Sequence, residues 1–264
     1  MADNVTHSLP LNKQWIDSHA FKLVKALQDH NHTTYLVGGC VRDLLLGLPP
    51  KDFDIATSAL PNQVNKIIRP SYIIGRRFQL VLVKRYGQQY EISTFRANTQ
   101  EQENDDEVTG PIMDDNTFGD PEQDAKRRDF TINSFFYDPV KCELIDYTNG
   151  LSDIEQRVVR MIGDPHVRIQ EDPLRMLRAL RFAHKANFQI EESLRNAIFE
   201  LADQLPLSVL PRRREEMLKF LRLPTANSLI WECHDLNLLQ HLCPTLNHIL
   251  EKHDSDIFEM KLNC

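Results

Sequence analysis

The first hundred residues alternate between two periods. Residues 14–30 (QWIDSHAFKLVKALQDH) place apolar side chains at helical spacing, and HTTYLV then switches to the alternation of a strand. Beyond two glycines, VRDLLLG predicts a short helix closed by Gly47. DFDIAT returns to strand alternation, and LPNQVNKIIRP predicts a helix with Pro61 near its start and Pro70 past its end. FQLVLVKRYG and QQYEISTF predict two strands joined by a turn at Gly87, which makes a hairpin. Residues 98–117 (NTQEQENDDEVTGPIMDDNT) have no period and are rich in acid, so a mobile loop is expected there. ELIDYTNG and RVVRMIG carry the last strand signals. Past Asp164, four segments each bear an amphipathic helical stripe: EDPLRMLRALRFAHKAN, EESLRNAIFELADQL, RRREEMLKFLR and ANSLIWECHDLNLLQHL. The pattern predicts an α+β fold, with a mixed β-sheet head over residues 1–155 and an all-helical region over 156–264.

Composition narrows this only a little. A chain of 264 residues with 41% hydrophobic and 26% charged residues can bury a core as one large or two small domains. No apolar run approaches the roughly 20 residues that span a bilayer, so no membrane partner is expected. The start MADNVTHSLPLNKQW lacks the basic and apolar parts of a secretion signal. Five scattered cysteines (Cys40, Cys142, Cys233, Cys243 and Cys264) with no CxxC argue against a disulfide or zinc framework and imply a reducing, cytoplasmic setting. With a net charge of −7, any polyanion must be held by a local basic surface.

The chemistry concentrates in LVGGCVRDLLLGLPPKDFDIAT. Asp52 and Asp54 stand one residue apart on a predicted strand, so both carboxylates point to one face. Like charges so close call for a cation between them, and carboxylate oxygens suit magnesium with phosphate as co-ligand. Gly38 and Gly39, after a strand, leave backbone N–H groups open to an anion, and Arg42 adds a full charge. Together these residues describe a metal–triphosphate site. There is no GxxxxGK[ST] and no GxGxxG, which excludes a P-loop and a dinucleotide fingerprint, and no Ser or Cys sits in a nucleophile elbow.

This stretch resembles the head of the polymerase-beta-like nucleotidyltransferases, in the class II branch of bacterial poly(A) polymerases and CCA-adding tRNA nucleotidyltransferases. AKRRDFTINSFFYD (125–138) and EDPLRMLRALRFA (171–183) resemble two further motifs of that branch. The resemblance runs from about residue 34 to at least 245. It implies a nucleotidyltransferase head followed by a helical neck and the start of an RNA-binding body. It gives Asp52 and Asp54 the role of metal ligands, and Glu91 that of a third catalytic carboxylate. Arg127, Arg128, Asp129 and Asn133 match the segment linked to ribose and triphosphate. Asp172 and Arg175 match the helix that reads the incoming base, with Arg178 and Arg181 continuing its face. At i, i+3 a carboxylate and a guanidinium fork share one side of a helix, enough to read the edge of a base.

Both activities of the branch share these motifs. IIGRRFQLVLV (73–83), with Arg76 and Arg77, resembles the stretch found in bacterial poly(A) polymerases, whereas CCA-adding enzymes tend toward a Gly-Thr-Val pattern there. Arg212, Arg213 and Arg214, with Lys219 and Arg222, lie on one predicted helix and are candidate RNA backbone contacts; a solvated face balanced by Glu215 and Glu216 is the competing reading. The expected reaction is template-independent addition of AMP from ATP to RNA 3′ ends with release of pyrophosphate, using Mg2+. The alternatives are CCA addition, or partial C or A addition, to tRNA, and a catalytically idle RNA- or nucleotide-binding fragment. Relatives of the branch usually continue further, so the chain is expected to be a fragment or a short form.

Overall fold

The structure is a computed structural model that describes residues 5–75, 79–97 and 118–252. The loop expected over 98–117 and the predicted contacts Arg76 and Arg77 lie outside the described residues. The chain divides into two compact units, Met1–Ile154 and Glu155–Cys264.

The first unit contains, in chain order, β1 (Val5–Ser8), α1 (Ser18–Gln28), β2 (Thr34–Val37), α2 (Gly39–Leu45), β3 (Asp54–Thr57), α3 (Pro61–Ile67), β4 (Tyr72–Ile74), β5 (Leu80–Arg85), β6 (Gln88–Thr94), α4 (Pro121–Lys126), β7 (Phe136–Asp138), β8 (Glu143–Asp146) and α5 (Gly150–Gln156), the last running across the division. Among the described residues its strands form one mixed sheet in the order β1-β8-β7-β2-β3-β6-β5-β4. Within that sheet β3 and β6 pair in parallel and the other neighbours are antiparallel. The β5–β6 hairpin turns at Tyr86 and Gly87, both at positive φ (50° and 79°), as a two-residue turn matched to strand twist requires.

Period-two alternation sorts the sheet into two faces. Leu36, Ile55, Ile92, Tyr137 and Leu144 join the core built with Leu23, Leu27, Val41 and Val64 of α1–α3. Their neighbours Val37, Ala56, Phe136 and Ile145 turn the other way and pack with Phe95 and with Ala125 of α4. Phe130, Phe135 and Phe136 are fully buried, each contributing about 1.5–3 kcal/mol by leaving water. At the start of α5, Asp146 accepts from the amides of Gly150 (3.0 Å) and Leu151 (2.8 Å). Gly150 has no room for a side chain, since a Cβ would lie 2.5 Å from the Thr131 carbonyl oxygen.

The second unit contains β9 (Val158–Val159), α6 (Pro165–Glu171), α7 (Leu174–Ala186), β10 (Gln189–Ile190), α8 (Glu192–Glu200), α9 (Leu210–Leu221), α10 (Ala226–Asp235) and α11 (Leu239–Leu242). Helix α7 is its spine, burying Leu174, Met176, Leu177, Ala179, Leu180 and Ala183 against α6, α9 and α10. It ends at Asn187 in the left-handed region, φ 55°. Two expectations are corrected here. The helix expected to start at Glu171 is broken, because Asp172 is extended (ψ 97°) ahead of Pro173, whose ring disfavours helical backbone in the residue before it. The helix expected over ANSLIWECHDLNLLQHL is two helices, parted at Asn237 (φ 59°). Among the described residues no helix is long and apolar enough to cross a membrane.

Candidate nucleotide and metal site

Strand β2 leads straight into Gly38, which holds a left-handed φ of 73° and opens α2. A side chain there would be strained by the backbone and would meet Arg128 Nη1 at 3.2 Å. Arg42, on α2, is buried (3% exposed); its Nη1 donates to Asn133 Oδ1 at 2.6 Å, and its Nε and Nη2 donate to Asp43 Oδ1 at 3.0 and 2.6 Å. Arg128 Nη1 donates to the Asn133 carbonyl at 3.3 Å. Gly38, Arg42, Arg128 and Asn133, spread over almost a hundred residues of sequence, thus share one cluster.

Its anchor is a residue the sequence reading passed over. Asp124, buried on α4, accepts from Arg127 Nε at 3.0 Å and from Arg128 Nη2 at 3.0 Å. Burial pushes the Asp124 carboxyl up, but the charges and hydrogen bonds of Arg128 and Arg127 outweigh it and hold the group below its ordinary value. The spacing i, i+3 and i+4 in DAKRR was the available signal. Arg128 also lies 5.5 Å from the centre of the Phe136 ring. Asp129 follows, half-buried.

The carboxylates come next. Strand β3 begins at Asp54, so Asp52 lies just ahead of it; exposure still alternates through Asp52, Phe53, Asp54 and Ile55, with both aspartates out and Phe53 and Ile55 buried. Glu91 on β6 stands in register with Asp54 across the parallel pair, on the face away from α1–α3. Although Asp54 reaches the surface, loss of solvation around it is the largest influence, and with the charge of Glu91 it raises the pKa to about 6; Arg128 opposes and Asp52 adds to the rise. Beside it, burial and the Asp54 charge push the Cys40 thiol up to about 12. Among the described residues no three His, Cys, Asp or Glu side chains form a ready-made metal cage. The donor set nonetheless fits magnesium, which takes a few carboxylate oxygens and fills its remaining positions with water and phosphate.

Two family models match the chain. "Poly A polymerase head domain" covers residues 34–160, and "Probable RNA and SrmB- binding site of polymerase A" covers residues 187–250. Poly(A) polymerase I of Salmonella typhi is 38% identical over 254 residues, 94% of this chain and 55% of that protein. The CCA-adding enzyme of Lactobacillus helveticus is 38% identical over 202 residues, 76% of this chain and 49% of that protein. The crystal structure of the Bacillus stearothermophilus CCA-adding enzyme in complex with CTP aligns with a TM-score of 0.73 at 34% identity, over 83% of this chain and 52% of that one. The chain belongs to the nucleotidyltransferase family of poly(A) polymerases and CCA-adding enzymes. It spans about half the length of these relatives.

Asp172, Arg175, Arg178, Arg181, Arg212, Arg213 and Arg214 lie in the second unit. Asp172 Oδ1 accepts from the Leu174 amide (3.2 Å) and its Oδ2 from Arg212 Nη2 (2.7 Å). Arg175 Nη1 donates to Glu171 Oε2 (2.7 Å) and to the Arg168 carbonyl. Asp172 and Arg175 therefore do not form the expected i, i+3 pair of one helix, since Asp172 stands at the junction before α7. Arg178 is half-buried on α7. Arg181 Nε donates to Glu216 Oε2 at 2.7 Å, and its guanidinium lies 4.2 Å from the centre of the Phe182 ring. Arg212, Arg213 and Arg214 do share α9, as expected. Glu216, expected on a solvated face, is instead buried: desolvation raises its carboxyl, and Lys219 and Arg181 pull it below its ordinary value.

Proposed function

We propose that this chain carries out template-independent addition of AMP from ATP to RNA 3′ ends. The observation that carries the reading is the Asp54–Glu91 register beside the Gly38–Arg42–Asn133 cluster: carboxylates for a cation next to donors for a triphosphate. Asp52 and Asp54 would hold magnesium, which when bound would neutralise triphosphate charge and make the attacking hydroxyl more acidic. Glu91 takes the proton of the 3′ hydroxyl. The 3′ oxygen bonds to the α-phosphorus of ATP, the bond from that phosphorus to the bridging oxygen breaks, and pyrophosphate leaves with the electron pair. The Gly38–Gly39 turn, through the Gly39 amide, and the guanidinium of Arg42 bind the triphosphate, while the Gly38 amide is held by the Phe135 carbonyl; the bonds to Asp43 and Asn133 hold Arg42 in one orientation before the nucleotide arrives. Arg127, Arg128, Asp129 and Asn133 orient ribose and triphosphate. The family resemblance gives adenine reading to Asp172, Arg175, Arg178 and Arg181, and their clustered positive charge makes Arg76, Arg77, Arg212, Arg213 and Arg214 the contacts for the RNA backbone. The setting is the cytoplasm, in keeping with free thiols at Cys40, Cys142, Cys233 and Cys243.

The choice of AMP is supported by the GRRF stretch and by the similarity to poly(A) polymerase I over 94% of this chain. The likeness to the CTP-bound CCA-adding enzyme supports tRNA as the second reading. Incubation with labelled RNA and each nucleotide in turn decides between them. Adenosine tracts of uneven length on unstructured RNA, with little cytidine, are expected. Ordered C, C, A addition to tRNA lacking its 3′ end, without tailing of other RNAs, would replace the first reading by the second.

A further inference from the structure

On the other face of the sheet, α1, α3 and the end of β5 enclose a groove of about 350 Å3. Lys22, Lys66, Arg69, Arg85 and His19 line it, and among the described residues the lining contains no aspartate or glutamate. Four full positive charges around one hollow are conspicuous in a chain of net charge −7. Asp17, two residues before His19, is already used: it caps α1 through the amides of His19 (2.8 Å) and Ala20 (2.9 Å) and accepts from the Tyr90 hydroxyl (2.7 Å).

Two details point to a ligand rather than to a chance crowd of lysines. Arg85 Nη2 is fixed on the Arg69 carbonyl at 2.6 Å, yet its Nε is buried without a hydrogen-bond partner among the described residues, a cost that an anionic acceptor would remove. At the rim, the hairpin tip presents Tyr86, 84% exposed, with its ring 4.7 Å from that of His19. An exposed aromatic platform beside spaced cations is how proteins hold single-stranded nucleic acid without reading its sequence. The apolar floor, with Leu23 and Ile68 buried, keeps the cations at the mouth.

We propose that this groove binds the phosphodiester backbone of single-stranded RNA upstream of its 3′ end, with a base resting on Tyr86. Calling the ligand RNA rests on the activity proposed above; the geometry itself calls for a run of phosphates next to a stackable ring. The groove and the Asp54–Glu91 pair lie on opposite faces of the sheet, so a strand whose 3′ end is at Asp54 reaches the groove only by passing round the sheet edge. The site is therefore felt by long RNAs and not by short ones.

Anisotropy with 5′-labelled RNA ending in a 3′-deoxynucleotide tests this without any turnover. Lys66→Glu combined with Arg69→Glu is expected to weaken binding of an RNA of about 20 nucleotides roughly tenfold near 0.1 M salt, to flatten the salt dependence by about one to two units of slope, and to leave an RNA of about 5 nucleotides unchanged. The milder pair Lys22→Gln and Lys66→Gln, with its melting curve as a folding control, is expected to move in the same direction by less. Wild-type affinity and salt slope in both variants would overturn the proposal. So would an equal loss on both lengths, or a loss of binding to phosphatidylserine vesicles with none to RNA. A chain that tails no RNA but shows the length-dependent loss refutes the catalytic reading and supports this one.

Discussion

The carboxylate-bearing strands of the first unit and the motif helices of the second treat charge in opposite ways. In the first, strand register sets Asp54 against Glu91 with Asp52 just ahead, and like charges directly across a strand pair cost stability. In the second, three motif cations each have a carboxylate: Arg175 has Glu171, Arg181 has Glu216 and Arg212 has Asp172. The first unit therefore holds an imbalance that a cation would relieve. In the second, a ligand reaching Asp172 must displace Arg212. Uncompensated charge built into a rigid sheet points to chemistry, whereas a paired arginine on a helix serves packing as well as any ligand.

The sharpest way to break this contrast is Asp54→Ala. It should take nucleotide addition to background while melting stays at least as high as wild type, because the change removes a repelling charge and no packing. Normal turnover in that variant, or a collapsed fold, would show that the imbalance is incidental.

Glu216→Gln probes the other side. Arg181 is then left largely buried against a neutral partner, and stability in urea should fall by about 3 kcal/mol. A loss below about 1 kcal/mol would mark the pair as an ordinary surface bridge.

A smaller effect separates packing from reading at Arg175. Arg175→Ala should reduce discrimination among the four nucleotides by on the order of 1–3 kcal/mol, measured as ratios of kcat/KM, while RNA affinity holds. Unchanged ratios would leave Arg175 to its bonds with Glu171 and Arg168.

The smallest signal is in pH. Asp54 binds its proton more tightly folded (about 6) than its ordinary 3.8, so the stability it lends the metal-free protein is complete below the ordinary value and disappears as pH rises through about 6. Asp124 is lowered, so its contribution is present above the ordinary carboxylate value and disappears as pH falls. Melting curves between pH 3 and 7 should show Asp54→Asn flattening the limb on which stability falls as pH rises toward 6, and Asp124→Asn flattening the limb on which it falls toward low pH.

Much of this was legible in advance because it is local. Alternation marked β3 and β6, the apolar run LVLV marked β5, and the Gly-Gly after HTTYLV marked the β2–α2 junction. Strand β7 was not predicted: Phe136, Tyr137 and Asp138 are all buried, so no polar face marks the period. Strand β1, VTHS, is too short to carry one. In the site, Asp52, Asp54 and Glu91 follow from spacing and resemblance, but the bond from Arg42 to Asn133 spans 91 residues and leaves no local pattern. Asp172 was misplaced because helical periodicity was given more weight than the proline beside it.

The sheet order also governs when the site can exist. During synthesis the β5–β6 hairpin can close early, and β3 can join it once Thr94 has emerged. Strand β2 can then pair with β3, but its other edge must wait for Phe136 and Tyr137, and β1 for the stretch Glu143–Asp146. Asn133 reaches Arg42 only in that same late window. A nascent chain stopped after residue 97 thus carries the acidic residues and the glycines without the cluster meant to grip a triphosphate. Assembly of such distant pairings is slow, and it ties the first competence to hold a nucleotide to the last steps of the head's maturation on the ribosome.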